Sequence, residues 1–163
     1  MGAGKTYWGR VWAIQFGVPF IDLDEHIEKH TGLSISQLFA EKGESGFRVL
    51  ETDILRSLDL HGPVIVACGG GTPLYYDNIG WMNRHGITVY IREEPSCLLE
   101  RLSVDTKKRP LFDEVAIADQ QQWIEESMRQ RESCYVQASL VFNPADRASH
   151  TIIELKLQQS FSK

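Results

Sequence analysis

Five short segments carry the residue types that could handle phosphates and carboxylates. Gly2-Ala3-Gly4-Lys5-Thr6 fits the last five places of the phosphate-binding pattern G-x-x-x-x-G-K-[ST], whose first glycine would fall one residue ahead of Met1. Glycines let successive backbone N–H groups turn inward, and the helix dipole behind them adds positive potential. In that frame Lys5 reaches the β- and γ-phosphates and the Thr6 hydroxyl ligates Mg²⁺. The plainer reading is a glycine-containing helix start with a surface lysine.

In "FIDLDEHIE", Asp22 and Asp24 stand two apart at a strand end and would share a face. Such carboxylates can hold magnesium through water and orient a substrate hydroxyl. Alternatively, Asp24 is a helix N-cap. In "GESGFRVLE", Arg48 and Glu51 lie three apart on a helix. A guanidinium grips a carboxylate through two parallel hydrogen bonds, which suits a small acidic substrate. The competing reading is an exposed ion pair worth tenths of a kcal/mol. "VACGGGTP" puts Gly69, Gly70 and Gly71 directly after an apolar run, where a ligand or another backbone can approach closely. Residues 103–117 are polar, basic at Lys107, Lys108 and Arg109, and without a clear period, as expected of a lid. A lid arginine can close over phosphates and exclude water. Arg129 and Arg131, on the helix that follows, could also reach a carboxylate or phosphate.

The elements that must position these groups alternate. Helical patterns are expected over 5–16, 24–31, from Ser34 to Lys42, from about 45 to 60, over 95–103, 119–139 and 147–159. Ser34 with Gln37 three places on is a capping-box signature. Strands are expected at 18–22, 63–67, 87–92 and 140–143. This alternation predicts one α/β domain over 1–163, with a parallel sheet covered on both sides. Trp8, Trp12, Trp81 and Trp123 read as packing residues.

The totals agree with that frame. A chain of 163 residues with 42% hydrophobic and 24% charged residues suits one globular domain. The net charge of −5 offers no general attraction for nucleic acid or an anionic membrane, so a phosphate ligand needs a local site. Cys68, Cys97 and Cys134 are dispersed, which predicts reduced thiols and a cytoplasmic protein with neither a disulfide frame nor a zinc site. Cys68 reads as a packing residue.

Together the segments "GAGKT", "FIDLDEHIE", "SISQLFAEKGESGFRVLE", "CGGGTP", "RPL" and "RESCY" resemble shikimate kinase, from Gly2 to about Tyr135. The resemblance implies ATP-dependent phosphorylation of the shikimate 3-hydroxyl by a monomeric enzyme using Mg²⁺. It implies that Asp24, Arg48, Gly70 and Arg131 bind shikimate, within a substrate region of about 24–55. Arg48 and Arg131 would hold the carboxylate, and Asp24 would take a ring hydroxyl. Thr6 and Asp22 would hold the metal. Gly2, Ala3, Gly4, Lys5, Thr6, Arg101 and Arg109 would bind ATP, with Arg101 near adenine and Arg109 over the transferring phosphate. Lys5, Asp24 and Arg109 would be catalytic. The implied fold is a three-layer P-loop kinase with sheet order 2-3-1-4-5. The first strand and first loop glycine of that pattern are missing from this sequence, so the central strand is expected to be absent. Two expectations follow: Met1 is internal to a natural protein that starts upstream, or the chain is a truncated, weak or inactive kinase. A non-catalytic shikimate-binding module and a related kinase such as gluconate kinase are the alternatives.

Overall fold

The computed structural model describes residues 2–104, 112 and 115–161. Helix α1, Lys5–Phe16, starts at left-handed Gly4 and stops at left-handed Gly17. Strand β1, Phe20–Asp22, runs straight into α2, Leu23–Thr31. The Asp22 side chain caps α2, accepting from the N–H groups of Asp24 and Glu25. This corrects the sequence reading twice. Asp22, not Asp24, is the N-cap, and Asp24 sits in the first helical turn rather than on a shared strand face.

The two helices expected between Ser34 and about residue 60 are both found, following directly on one another within α3, Ile35–Ser57. It is broken at Gly43, whose φ of 65° and ψ of 177° leave helical geometry. The Ser34–Gln37 capping box is present in both directions. Strand β2, Ile65–Ala67, leads through a 3₁₀ turn at Thr72–Leu74 to α4, Asn78–His85, a helix that the sequence pattern did not disclose. Then follow β3, Val89–Ile91, and α5, Pro95–Val104. A second 3₁₀ turn precedes α6, Gln120–Tyr135, and β4, Leu140–Phe142, and α7, Arg147–Phe161, close the order.

All four expected strands are found, each shorter than its sequence run. β1 pairs with β2 in parallel and β3 pairs with β4 in parallel. These are the neighbours that the order 2-3-1-4-5 assigns to its outer strands. Among the described residues the two pairs are separate sheets, and no strand lies between β2 and β3. A cavity of about 610 Å³ runs between them.

Three apolar clusters hold the layers. Leu23, Ile27, Leu38, Phe47, Ile54 and Leu55 bind α2 to α3. Trp12, Ile91, Phe142, Ile153 and Leu157 bind α1 and α7 to the strands. Leu98, Leu102, Phe112 and Ile124 bind α5 to α6. Trp8 and Trp12 both set their rings edge-on to Phe142, at 4.9 and 5.1 Å between centroids, so they pack the core as the sequence suggested. Phe112 lies within the expected lid segment and is buried. Most of that segment, including Lys107, Lys108 and Arg109, lies outside the described residues. Among the described residues no helix is long and apolar enough to cross a membrane.

Candidate active site

The loop ahead of α1 needs its glycines. Gly2 and Gly4 have φ of 69° and 80°, a region that residues with a Cβ enter at a cost. Ala3 lies between them, and Lys5 and Thr6 open the helix, so the dipole of α1 points at the loop. Arg101 Nη1 donates to the Gly2 carbonyl at 3.2 Å and stands 2.9 Å from Glu93 Oε1. The Glu93 contact is an ion pair without hydrogen-bond alignment, since that oxygen has no hydrogen-bond partner among the described residues. Arg101 therefore ties α5 to the phosphate loop.

Thr6 Oγ1 donates to Asp22 Oδ2 at 2.8 Å, while Asp22 Oδ1 caps α2. The hydroxyl and carboxylate expected at a metal are thus in direct contact, within reach of one ion. The described residues contain no group of three or more His, Cys, Asp or Glu that could hold a metal. Mg²⁺ keeps several waters and binds through one or two protein oxygens plus substrate phosphates, and a threonine hydroxyl beside one carboxylate offers that donor set.

The second half of the site is built around Arg48. This guanidinium is buried, which removes the exposed-pair reading. Nη1 donates to Glu51 Oε2 at 2.9 Å and Nη2 to Glu44 Oε1 at 3.2 Å. The rings of Phe39, Phe47 and Tyr75 surround its Cζ at 5.7, 5.2 and 5.0 Å. Nε is buried and has no hydrogen-bond partner among the described residues. Burial opposes the Arg48 charge, but the paired carboxylates of Glu51 and Glu44 outweigh it and hold the guanidinium above its ordinary pKa.

Glu51 is almost fully buried. Its second oxygen accepts from Thr72 Oγ1 at 2.6 Å. Burial pushes the Glu51 carboxyl up from its usual range; Thr72 and Arg48 pull it down, and neighbouring Asp24 adds to the rise. The net direction is up, because desolvation at this depth exceeds what two partners return. Asn78, fully buried, locks the arrangement by donating to Thr52 Oγ1 at 2.9 Å and to the Thr72 carbonyl at 3.0 Å. Its own Oδ1 accepts from Arg56 at 3.2 Å.

The glycine run completes the pocket by leaving space. A Cβ on Gly71 would lie 2.3 Å from Arg48 Nη2, and one on Gly69 would lie 3.1 Å from both Glu51 Oε1 and Thr72 Oγ1. Asp24 Oδ1 would be 3.6 Å from that Gly69 Cβ. The Gly70 carbonyl accepts from the Tyr135 hydroxyl at 2.6 Å. Burial raises the pKa of that phenol against the pull of Arg131, which hydrogen-bonds it, and of Arg48. Cys68 lies among these groups. Burial and the charges of Glu51, Asp24 and Asp22, against the pull of Lys5, leave its thiol pushed up to about 12, an inert packing group.

The comparisons with known proteins bear on this geometry. The shikimate kinase family model matches residues 1–160. The chain belongs to the shikimate kinase family. Shikimate kinase of Bacteroides thetaiotaomicron is 36% identical over 159 residues, 98% of this chain and 91% of that protein. The protein of the same name from Bacteroides fragilis (strain ATCC 25285) is 35% identical, over 98% of this chain and 89% of its own length. Among solved structures, the B. thetaiotaomicron shikimate kinase superposes with a TM-score of 0.86 at 36% identity, covering 100% of this chain and 94% of that one. Shikimate kinase from Acinetobacter baumannii, solved in complex with shikimate, superposes with a TM-score of 0.83 at 32% identity, covering 99% and 89%.

The structure brings Lys5, Asp22, Asp24 and Glu51 into one field around Cys68, and Arg131 and Gly70 to Tyr135. Arg101 stands at the phosphate loop beside Gly2. Arg109 lies outside the described residues. Sequence reasoning marked Gly71 only as part of the glycine run and missed Thr72, Asn78 and Tyr135 as members of the site. Gly71 and Tyr135 lay inside recognised motifs, but only the fold shows that one is wedged against Arg48 and the other holds the glycine run. Asn78 had no signal, because the helix it opens was not foreseen.

Proposed function

We propose that this protein transfers the γ-phosphoryl group of ATP to the 3-hydroxyl of shikimate, giving shikimate 3-phosphate and ADP on the route to chorismate. The observation that carries the reading is the buried Arg48 guanidinium, with Nε lacking a hydrogen-bond partner among the described residues, packed on the same glycine run as Asp24. A buried, pre-oriented guanidinium suits a carboxylate, and shikimate is a small polyhydroxy acid.

In this reading Arg48 and Arg131 hold the carboxylate, Asp24 orients the accepting hydroxyl and draws on its proton, and Gly70 lines the ring. Lys5 and the N–H groups of Gly2, Ala3, Gly4 and Thr6 hold the phosphates, while Arg101 stands at the nucleotide side. Arg109 closes over the transferring phosphate and keeps water out. Thr6 and Asp22 hold Mg²⁺, which when bound supplies charge neutralisation of the phosphates. Phosphoryl transfer needs little covalent help from the protein, so positioning and electrostatics are the whole contribution of these residues. The free thiols support a reducing, cytoplasmic setting, and the reading takes the protein as a monomer.

The test is ADP release from Mg-ATP with and without shikimate, for the wild-type chain and for Arg48→Ala. Shikimate-dependent release that Arg48→Ala removes at sub-saturating shikimate supports the assignment. Shikimate binding without Mg-ATP binding would replace catalysis by a binding module. An equal effect of Arg48→Ala on both ligands would refute the carboxylate role.

A further inference from the structure

Arg131 lies in the last turns of α6, and deep apolar packing does not hold those turns. Ile124 is the buried residue of α6, about two turns before Arg131. Val136, just past the helix, is exposed. The contacts at this end are polar. Tyr135 donates to the Gly70 carbonyl at 2.6 Å, and Cys134 Sγ stands 3.4 Å from the Pro73 carbonyl. One position after Arg131, Glu132 reaches back to β3. The Tyr90 hydroxyl donates to Glu132 Oε2 at 2.9 Å, and Arg92 Nη2 lies 3.3 Å from Glu132 Oε1. The rings of Tyr90 and Tyr135 touch, with centroids 5.1 Å apart.

The two partners of Glu132 differ in weight. The Arg92 side chain is 61% exposed, so its ion pair is screened by solvent and contributes little. The Tyr90 bond is partly buried, and a hydroxyl donating to a carboxylate makes the stronger, charge-assisted kind of hydrogen bond. Burial, then the Glu132 carboxylate, push the Tyr90 phenol well above its ordinary pKa, which keeps it a proton donor. Successive helix residues point about 100° apart, so Glu132 can grip the strand while Arg131 points elsewhere. Arg131 hydrogen-bonds Tyr135, one turn further on. A helix end held at β3 through Glu132 and at the glycine run through Tyr135 has its rotation about its own axis set. The direction of Arg131 is set with it.

We propose that Glu132 is a positioning residue for the substrate carboxylate: by accepting from Tyr90 it fixes the turn of α6 and so aims Arg131. The inference rests on the kinase reading, in which Arg131 and Arg48 share that carboxylate. It adds a specific division of labour. Arg48 is aimed by its own buried surroundings, whereas Arg131 is aimed from the strand behind it, through a side chain that does not itself meet the substrate.

The experiment is calorimetric titration of the full chain with shikimate and, separately, with Mg-ATP. Glu132→Ala and Tyr90→Phe are each expected to raise shikimate Kd by about 5- to 20-fold and to leave Mg-ATP Kd within about twofold. The double variant should be no weaker than Glu132→Ala, because both changes break one bond. Glu132→Gln keeps a carbonyl acceptor for Tyr90 and should recover most of the affinity, and Arg92→Ala should stay within about twofold of wild type. In an Arg131→Ala background, Glu132→Ala should cost nothing further, an outcome that general support of the fold would not produce. An unchanged shikimate Kd in Tyr90→Phe, which removes one oxygen and keeps the ring, overturns the proposal even where Glu132→Ala fails to fold. Equal weakening of both ligands, or a full Glu132→Ala effect without Arg131, overturns it too. These results leave the kinase reading standing, whereas a wild-type chain that binds no shikimate would end that reading and this inference together.

Discussion

Gly71→Ala isolates the packing that aims Arg48. Gly71 has φ of −83° and ψ of −27°, a conformation alanine adopts freely, so the substitution adds no backbone strain. The new Cβ would lie 2.3 Å from Arg48 Nη2, 2.5 Å from Cζ and 2.7 Å from Nη1. Reaching an ordinary contact of 3.4 Å requires Nη2 to retreat by about 1.1 Å, the difference between 3.4 and 2.3. A guanidinium displaced by that much loses its aligned hydrogen bond to the shikimate carboxylate that the proposed function places on it. Hydrogen bonds to charged groups contribute about 1.5–3 kcal/mol, which is about one to two orders of magnitude in affinity. Calorimetric titration should therefore show shikimate Kd raised about 10- to 100-fold, with Mg-ATP Kd within about twofold of wild type. A shikimate Kd unchanged within about twofold, in a variant with native circular dichroism, would refute the claim that the glycine run aims this guanidinium.

Three further outcomes are expected. Thr6→Val removes the hydroxyl that donates to Asp22 and should raise the KM for Mg-ATP by about tenfold, from about 1.4 kcal/mol, while Thr6→Ser restores it and shikimate Kd does not move. Asn78→Ala strips buried partners from the Thr72 carbonyl and Arg56, and urea unfolding should show a loss of about 2–5 kcal/mol; a loss below about 1 kcal/mol would contradict its role as a lock. Glu51 binds its proton more tightly in the fold than in the unfolded chain. The native state therefore holds more protons above the ordinary value of 4.5, and stability falls as pH rises from there to the raised folded value, then levels. Glu51→Gln should abolish that slope in urea midpoints taken across the window, and a slope that survives would place the titration elsewhere.

Much of this was legible because the relevant signals are local. The Ser34–Gln37 box, Gly17 and Gly32 as helix stops, and the four apolar strand runs each follow from a few neighbouring residues. Asp22 and Asp24 were legible as a pair but not in their division of labour, because a strand that turns into a helix without a loop hides which residue is the cap. α4 was hidden by Gly80 in its centre and by Asp77 in a left-handed conformation at its start. The depth of Arg48 could not be read from spacing, since an i,i+3 ion pair looks the same exposed or buried; aromatic rings contributed by Phe39, Phe47 and Tyr75 decide it. The wedge of Gly71 against Arg48 joins residues 23 positions apart, and only the folded chain brings them together.

The central claim is that this constellation phosphorylates shikimate. Incubation of the protein with Mg-ATP and shikimate, followed by ³¹P and ¹H NMR of the small molecules, identifies the product directly. The account predicts a phosphate monoester resonance coupled to the ring proton at carbon 3, formed in step with ADP. ADP formed with free phosphate alone, or a monoester at another ring position, would contradict it.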